Sequence, residues 1–198
     1  LLKLADNLNC ARVDIFATAV LRNCTNSRKA IRAIEEAIGA PVNLLSARDE
    51  AHLSFTGASC DRTIEKGTVV DLGGGSTELI RVEEGRDFDD VSIGQGSLSS
   101  YAGYVEFVMP QADEVEAIER AFLDQVAKTP VELKKYRAET LYGVGGSARA
   151  AAKLYAQMTG ESCRPKTLTP EHFDALLDLL ENNPSKFAHL AARAVPER

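Results

Sequence analysis

The sequence predicts an α/β fold, a mixed β-sheet with flanking helices, in a fragment that spans parts of two domains. Three observations carry this reading. Near the start, apolar runs alternate strand–helix–strand–helix, the order of an α/β layer. In the middle, two β-rich runs, Thr68-Val69-Val70 and Glu78-Leu79-Ile80-Arg81-Val82, flank a glycine cluster, which reads as a hairpin. Further on, Leu141 to Val144 reads as a strand that enters Gly145-Gly146-Ser147 and then an alanine-rich helix, Ala148 to Met158.

The elements follow in order. Leu1, Leu4 and Leu8 lie at helical spacing, so the chain begins inside a helix. Val13 to Val20 reads as a short buried strand that runs into a loop at Arg22. Asn26 is placed as an N-cap, with Ala30, Ile31, Ile34 and Ile38 on one helical face and Gly39 and Pro41 as the stop. Val42 to Leu45 is a second short strand. Ser46-Ala47-Arg48-Asp49 fits a capping box, which starts a helix running to about Gly57. Residues 57–66 are polar and irregular, so the expected division is 1–56, the end of a first domain; 57–65, a linker; and 66–198, most of a second. Val91 to Ile93 is a third strand after the hairpin. A long helix is expected over about 111–129, with Val115, Ile118, Phe122 and Val126 on one face. Thr169-Pro170 is an N-cap followed by proline at the first helical position.

Composition narrows the function. The chain has 198 residues, 23 basic and 29 acidic side chains and a net charge of −6, with 44% hydrophobic and 26% charged residues. These are globular proportions and exclude a disordered tail, a collagen-like fibre and a coiled coil. A general DNA binder needs a basic surface to displace counterions, which this chain lacks. An acidic protein binds phosphate only at a local site, through backbone amides, a metal or a single arginine. No run approaches the roughly 20 apolar residues of a membrane helix. The four cysteines form no C-x-x-C pair and read as reduced thiols in a cytoplasmic protein.

The most informative segment is Val69-Val70-Asp71-Leu72-Gly73-Gly74-Gly75-Ser76-Thr77-Glu78. Three glycines bend the backbone tightly and expose N–H groups that can hold phosphate oxygens. Ser76 and Thr77 add hydroxyl donors, and Asp71 at a strand end is placed to hold Mg²⁺ directly or through water. This is no P-loop, because G-x-x-x-x-G-K-[ST] is absent, and no Rossmann turn, because a strand follows it. Strand–glycine loop–strand is instead similar to the second phosphate loop of the actin, Hsp70 and sugar-kinase superfold, the actin-like ATPase (ribonuclease H-like) fold. At Gly143-Val144-Gly145-Gly146-Ser147 a strand feeds a glycine turn that opens a helix, a natural anion site.

With Ala17-Thr18-Ala19-Val20-Leu21-Arg22 and Ser46-Ala47-Arg48-Asp49-Glu50-Ala51-His52, the ordered set resembles the exopolyphosphatase and guanosine-pentaphosphate phosphohydrolase family (Ppx/GppA). That family shows A-T-x-A-x-R, then S-G-x-E-E-A-R, then D-x-G-G-G-S-T-E, then a glycine loop before a helix. The resemblance runs from about Val13 to Ala151. It implies that Glu50 is the catalytic glutamate that activates water, and that Arg22 faces the phosphate chain. It further implies that Gly73, Gly74, Gly75, Ser76 and Thr77 form the phosphate loop, that Asp71 and Glu78 stand near Mg²⁺, and that Gly145, Gly146 and Ser147 form the later loop. Without the resemblance, Glu50 reads as a first-turn acid favoured by the helix dipole, with Asp49 as capping partner.

Two departures matter. Where the family has E-E-A-R, this chain has Asp49-Glu50-Ala51-His52, and a neutral His52 weakens phosphate attraction. The family's first phosphate loop, of the D-x-G-S-N type, has no counterpart here, which reads as truncation or a degenerate relative. Asp49-Glu50-Ala51-His52 also spells a DEAH helicase box, but Ser46-Ala47-Arg48 separates it from the strand and no Walker A lysine exists. Tyr101, Tyr104 and Phe107 are expected in the core, and His172 and His189 on the surface or in packing.

The expected function is hydrolysis of terminal phosphoanhydride bonds, with polyphosphate or guanosine pentaphosphate as partner, and a homodimer among the assemblies it allows. The fragment alone is expected to be inactive. The rivals are an ATPase or kinase of the same superfold and a catalytically degenerate phosphate-binding or nucleotide-binding regulator.

Overall fold

The computed structural model describes residues 2–60, 62–163 and 165–195. Leu1 at the expected helix start, Asp61 in the expected linker and the final Pro196-Glu197-Arg198 lie outside the described residues.

The first elements are helix α1 (Leu2–Asn7), strand β1 (Phe16–Ala17), helices α2 (Ala19–Asn23) and α3 (Ser27–Ile38), and strand β2 (Asn43–Leu44). β1 and β2 form a parallel two-stranded ladder, Phe16 opposite Asn43 and Ala17 opposite Leu44. The expected buried strand over Val13 to Val20 is corrected here. Only two residues pair, Val20 and Arg22 lie in α2, and Val13, Phe16 and Val20 are exposed. A ladder of two residue pairs offers no face on which such side chains can be covered. α3 ends as the sequence predicts: Gly39 adopts φ +69° and donates to the Glu35 carbonyl.

Helix α4 (Ala47–Ser59) begins in the expected capping box. The Asp49 amide donates to Ser46 Oγ at 3.1 Å, and the Ser46 amide to Asp49 Oδ2 at 3.2 Å. The exposed Asp49 carboxyl is held below the usual carboxylate range, chiefly by the Ser46 hydroxyl.

Strands β3 (Lys66–Leu72), β4 (Thr77–Glu83), β5 (Arg86–Ile93) and β6 (Leu141–Val144) form one sheet in the order β5-β4-β3-β6. The first three are antiparallel neighbours, while β3 and β6 run parallel, so the sheet is mixed. Side chains alternate across a sheet. One face therefore carries Val69, Ile80 and Val82, and α4 lays Ala51 and Phe55 on it. Ile64, only 2% exposed, completes this core from within the segment expected as a linker.

Helices α5 (Ser97–Tyr104) and α6 (Ala112–Lys128) follow β5, and α7 (Gly145–Thr159) follows β6. α6 half-buries Val115, Ile118, Phe122 and Val126, the face its periodicity predicts. Tyr101, Tyr104 and Phe107, expected in the core, are exposed. α7 packs with α8 (Pro170–Asn182) and α9 (Pro184–Ala194) around Leu154, Leu176, Leu190 and Ala194. His172 lies in packing, as expected, stacked on Tyr155 at 4.3 Å between ring centroids. Among the described residues, no helix is long and apolar enough to cross a membrane.

Candidate active site

The site forms where β3 and β6 end side by side and the first turn of α4 comes alongside. In the register, Asp71 stands directly opposite Glu78 on β4, and Glu78 opposite Ser92 on β5. On its other side Asp71 pairs with Val144, immediately before Gly145. Parallel pairing thus brings two glycine segments, more than 70 positions apart in the sequence, to neighbouring strand ends.

α4 supplies the remaining groups from one edge. Glu50 and Ser54 are four residues apart, so they share a helix face. Ser54 Oγ donates a short hydrogen bond to Asp71 Oδ2. Glu50 Oε2 accepts from Arg22 Nη1 at 2.9 Å, and the same nitrogen donates to the Leu45 carbonyl at 3.0 Å. Both side chains of this ion pair are four-fifths buried. Arg22 and Glu50, 28 positions apart in the sequence, therefore meet.

Glu78 is 1% exposed, and Ser92 Oγ donates to its Oε1 at 3.0 Å. Burial raises its pKa above the ordinary glutamate value. Hydrogen bonds from Ser76 and Ser92 oppose that rise, and the neighbouring charges of Glu50 and Asp71 add to it. Among the described residues, no group of three or more His, Cys, Asp or Glu side chains is gathered closely enough to hold a metal ion, so any cation here would rest on fewer protein ligands.

The loop between β3 and β4 is closed by the Gly73 amide, which donates to the Ser76 carbonyl at 3.0 Å. It is held from outside by the start of α5. The Ser97 amide and hydroxyl both donate to the Gly73 carbonyl, and the Ser99 amide to the Gly74 carbonyl. Gly96 fits under the loop so tightly that a Cβ there would lie 2.5 Å from the Gly73 oxygen. Gly75 packs toward Val20 of α2. No acceptor among the described residues takes the amides of Gly74 and Gly75, neither of which is buried, so two donors are available to an anion, while the Ser76 nitrogen is covered by Gly96. Ser76 is buried. Thr77 is buried too, and its hydroxyl donates to the Gln95 carbonyl at 2.7 Å, a bond that fixes the loop's exit.

Gly145, Gly146 and Ser147 form the first turn of α7, so the helix starts three residues earlier than expected. Gly145 has φ +90°, and a Cβ there would approach Asp71 Oδ1 to 3.1 Å. The absent side chain keeps that carboxylate oxygen open beside a helix N-terminus.

Several contributors were not picked out from the sequence: Ser54, Ser92, Gly96, Ser97 and Ser99. Ser54 was findable from its four-residue offset to Glu50. The others depend on strand register and on the return of the chain, which no local pattern announces.

The sequence profile of the Ppx/GppA phosphatase family matches residues 1–195. A Haemophilus influenzae protein assigned as an exopolyphosphatase is 26% identical over 171 residues, covering 84% of this chain and 51% of that protein. The chain thus spans about half the length of that relative. Among solved structures, an exopolyphosphatase from Cytophaga hutchinsonii superposes with a TM-score of 0.74 at 20% identity, covering 90% of this chain and 59% of that one. The type II variant of the Aquifex aeolicus Ppx/GppA phosphatase gives 0.63 at 21% identity, covering 93% and 61%. The chain belongs to the Ppx/GppA phosphatase family and has its actin-like α/β fold.

Proposed function

From that membership we propose that the protein carrying this chain releases the terminal phosphate of inorganic polyphosphate or guanosine pentaphosphate by hydrolysis. The observation that carries the reading is the grouping of Glu50, Arg22 and Asp71 through helix α4 at the β3 end that opens into the free amides of Gly74 and Gly75.

In this reading the loop amides hold oxygens of the phosphate chain, and Gly145, Gly146 and Ser147 complete the cradle. Ser76 and Thr77, expected to donate to phosphate, are buried with their hydroxyls turned to Glu78 and Gln95 and instead fix the loop's shape. Arg22 uses Nη1 to hold Glu50 and Leu45, which leaves Nε and Nη2 for phosphate oxygens. Glu50 orients a water and takes its proton as the water oxygen bonds to the terminal phosphorus. The bond from that phosphorus to the bridging oxygen breaks, and the shortened chain leaves with the electron pair. Asp71 and Glu78 suit Mg²⁺: both are oxygen donors, they face each other across the hairpin, and Gly145 keeps Asp71 Oδ1 open. When bound, Mg²⁺ would supply neutralising charge to the phosphate oxygens. The reading also includes a cytoplasmic location.

The Arg22–Glu50 ion pair also favours a second reading, a regulator that binds such anions without turnover, because Arg22 already occupies the Glu50 Oε2 oxygen. Phosphate release from long-chain polyphosphate and from guanosine pentaphosphate, with Mg²⁺, tests both on the full-length protein. Glu50→Gln should lose about 100-fold or more in kcat. An inert parent that binds either ligand would establish the regulator instead, and an active Glu50→Gln would remove Glu50 as the base.

A further inference from the structure

Helix α4 has two working edges. Ala51 and Phe55 are buried on the sheet between them. On one edge Glu50 and Ser54 reach Arg22 and Asp71. On the other, Arg48 and His52, again four residues apart, reach β5. Arg48 Nη1 makes a short bond to Asp90 Oδ1, and its Nη2 lies 3.2 Å from Asp87 Oδ2 and donates to the Asp87 carbonyl at 3.2 Å. His52 Nδ1 lies 3.0 Å from the same Asp87 Oδ2. Arg48 and Glu50 are two residues apart, roughly 200° around the helix, so they pull on opposite sides of it.

We propose that Arg48 is a positioning residue, whose grip on Asp87 and Asp90 fixes the rotation of α4 and so the place of Glu50 at the phosphorus. The proposal rests on Glu50 being the base.

An exposed ion pair would be too weak for this role. The Arg48 side chain is itself half exposed, and what distinguishes this pair is its acceptors. Asp87 and Asp90 are 13% and 16% exposed, and both stand in register with core residues of the sheet face that α4 covers, Val82 and Ile80. The guanidinium is their counter-charge, and its planar fork reaches the two residues through two separate nitrogens in fixed geometry, which the single nitrogen of a lysine does not reproduce. The Asp90 hydrogen bond, more than any other contact, raises the Arg48 pKa above its ordinary value. Ala51, one helix position from Glu50, is 1% exposed, so a rotation of α4 cannot be absorbed by loose packing. Misplacement by about 1 Å is enough to cost a catalytic group up to about 100-fold.

The test uses the full-length protein, long-chain polyphosphate and Mg²⁺. Arg48→Met should lower kcat about 10- to 30-fold with KM within about twofold, and Arg48→Lys should recover part of the loss. In a Glu50→Gln background, Arg48→Met should cost less than about twofold, because the grip acts through Glu50. An equal fractional loss in both backgrounds would assign Arg48 a general structural role and overturn the proposal, as would an unchanged kcat. Should Arg48→Met fail to fold, Asp87→Asn and Asp90→Asn break the same grip from the strand side under the same criteria. Full activity of Glu50→Gln by itself would overturn the base assignment, and the proposal with it, before Arg48 is touched.

Discussion

Two glycine segments of nearly the same composition flank the site, and they are held in shape by different means. Gly73-Gly74-Gly75-Ser76 turns between antiparallel strands β3 and β4. Its carbonyls are taken by Ser97 and Ser99, more than 20 positions further along the chain. Gly145-Gly146-Ser147 opens α7 after the parallel strand β6, and its special feature is local, the φ of +90° at Gly145. The first segment owes its form to a neighbour and the second to its own backbone. In both cases amides stay available for an anion, because carbonyls and not N–H groups carry the outside bonds of the first loop, and because a helix N-terminus leaves its first amides unpaired. Residues that shape a phosphate cradle therefore need not lie in the motif that names it.

The comparison breaks first at Gly96. A Cβ there would meet three backbone atoms at 2.5–2.7 Å, none of which can swing aside. Gly96→Ala should cost about 3 kcal/mol in denaturant unfolding, the upper part of the overpacking range. A loss below about 0.5 kcal/mol would show that the loop is not held from α5. Gly145→Ala should cost about 1–2 kcal/mol, the penalty of a left-handed backbone. It should also lower kcat/KM by pressing on Asp71, read together in unfolding and phosphate-release assays. Unchanged stability would mean that the α7 start is shaped from outside as well.

The smallest effect concerns the carboxylate between the two segments. The folded-state pKa of Glu78 is raised, so the fold binds the proton more tightly than the unfolded chain. The associated stability is fully present below the ordinary value of 4.5 and is lost as pH rises through the higher folded value. Glu78→Gln carries no such titration. Its stability relative to the parent should improve from about pH 4 to about pH 8, read from denaturant midpoints. A difference that stays flat with pH would contradict burial as the dominant influence on Glu78.

Much of the architecture was legible in the residues. The Ser46 capping box, Gly39 as helix stop, the hairpin around Gly73 to Gly75 and the strand entering Gly145 are set by interactions within a few positions. Local chemistry does not depend on the rest of the fold. The failures came where burial had to be supplied by distant elements. Val13 to Val20 has the apolar content of a core strand, yet its ladder partner is two residues long. Tyr101, Tyr104 and Phe107 have core-forming side chains but lie on surfaces that no described element covers.

The sequence by itself determined the longer secondary elements, the glycine loops and the family resemblance, because these rest on local backbone preferences and on an ordered set of motifs. Only the tertiary structure decided which side chains share the site. Glu50 meets Arg22, Ser54 meets Asp71, and Arg48 meets Asp87 and Asp90 through strand register and helix rotation. Those are set by packing across the whole sheet, and no window of the sequence contains them.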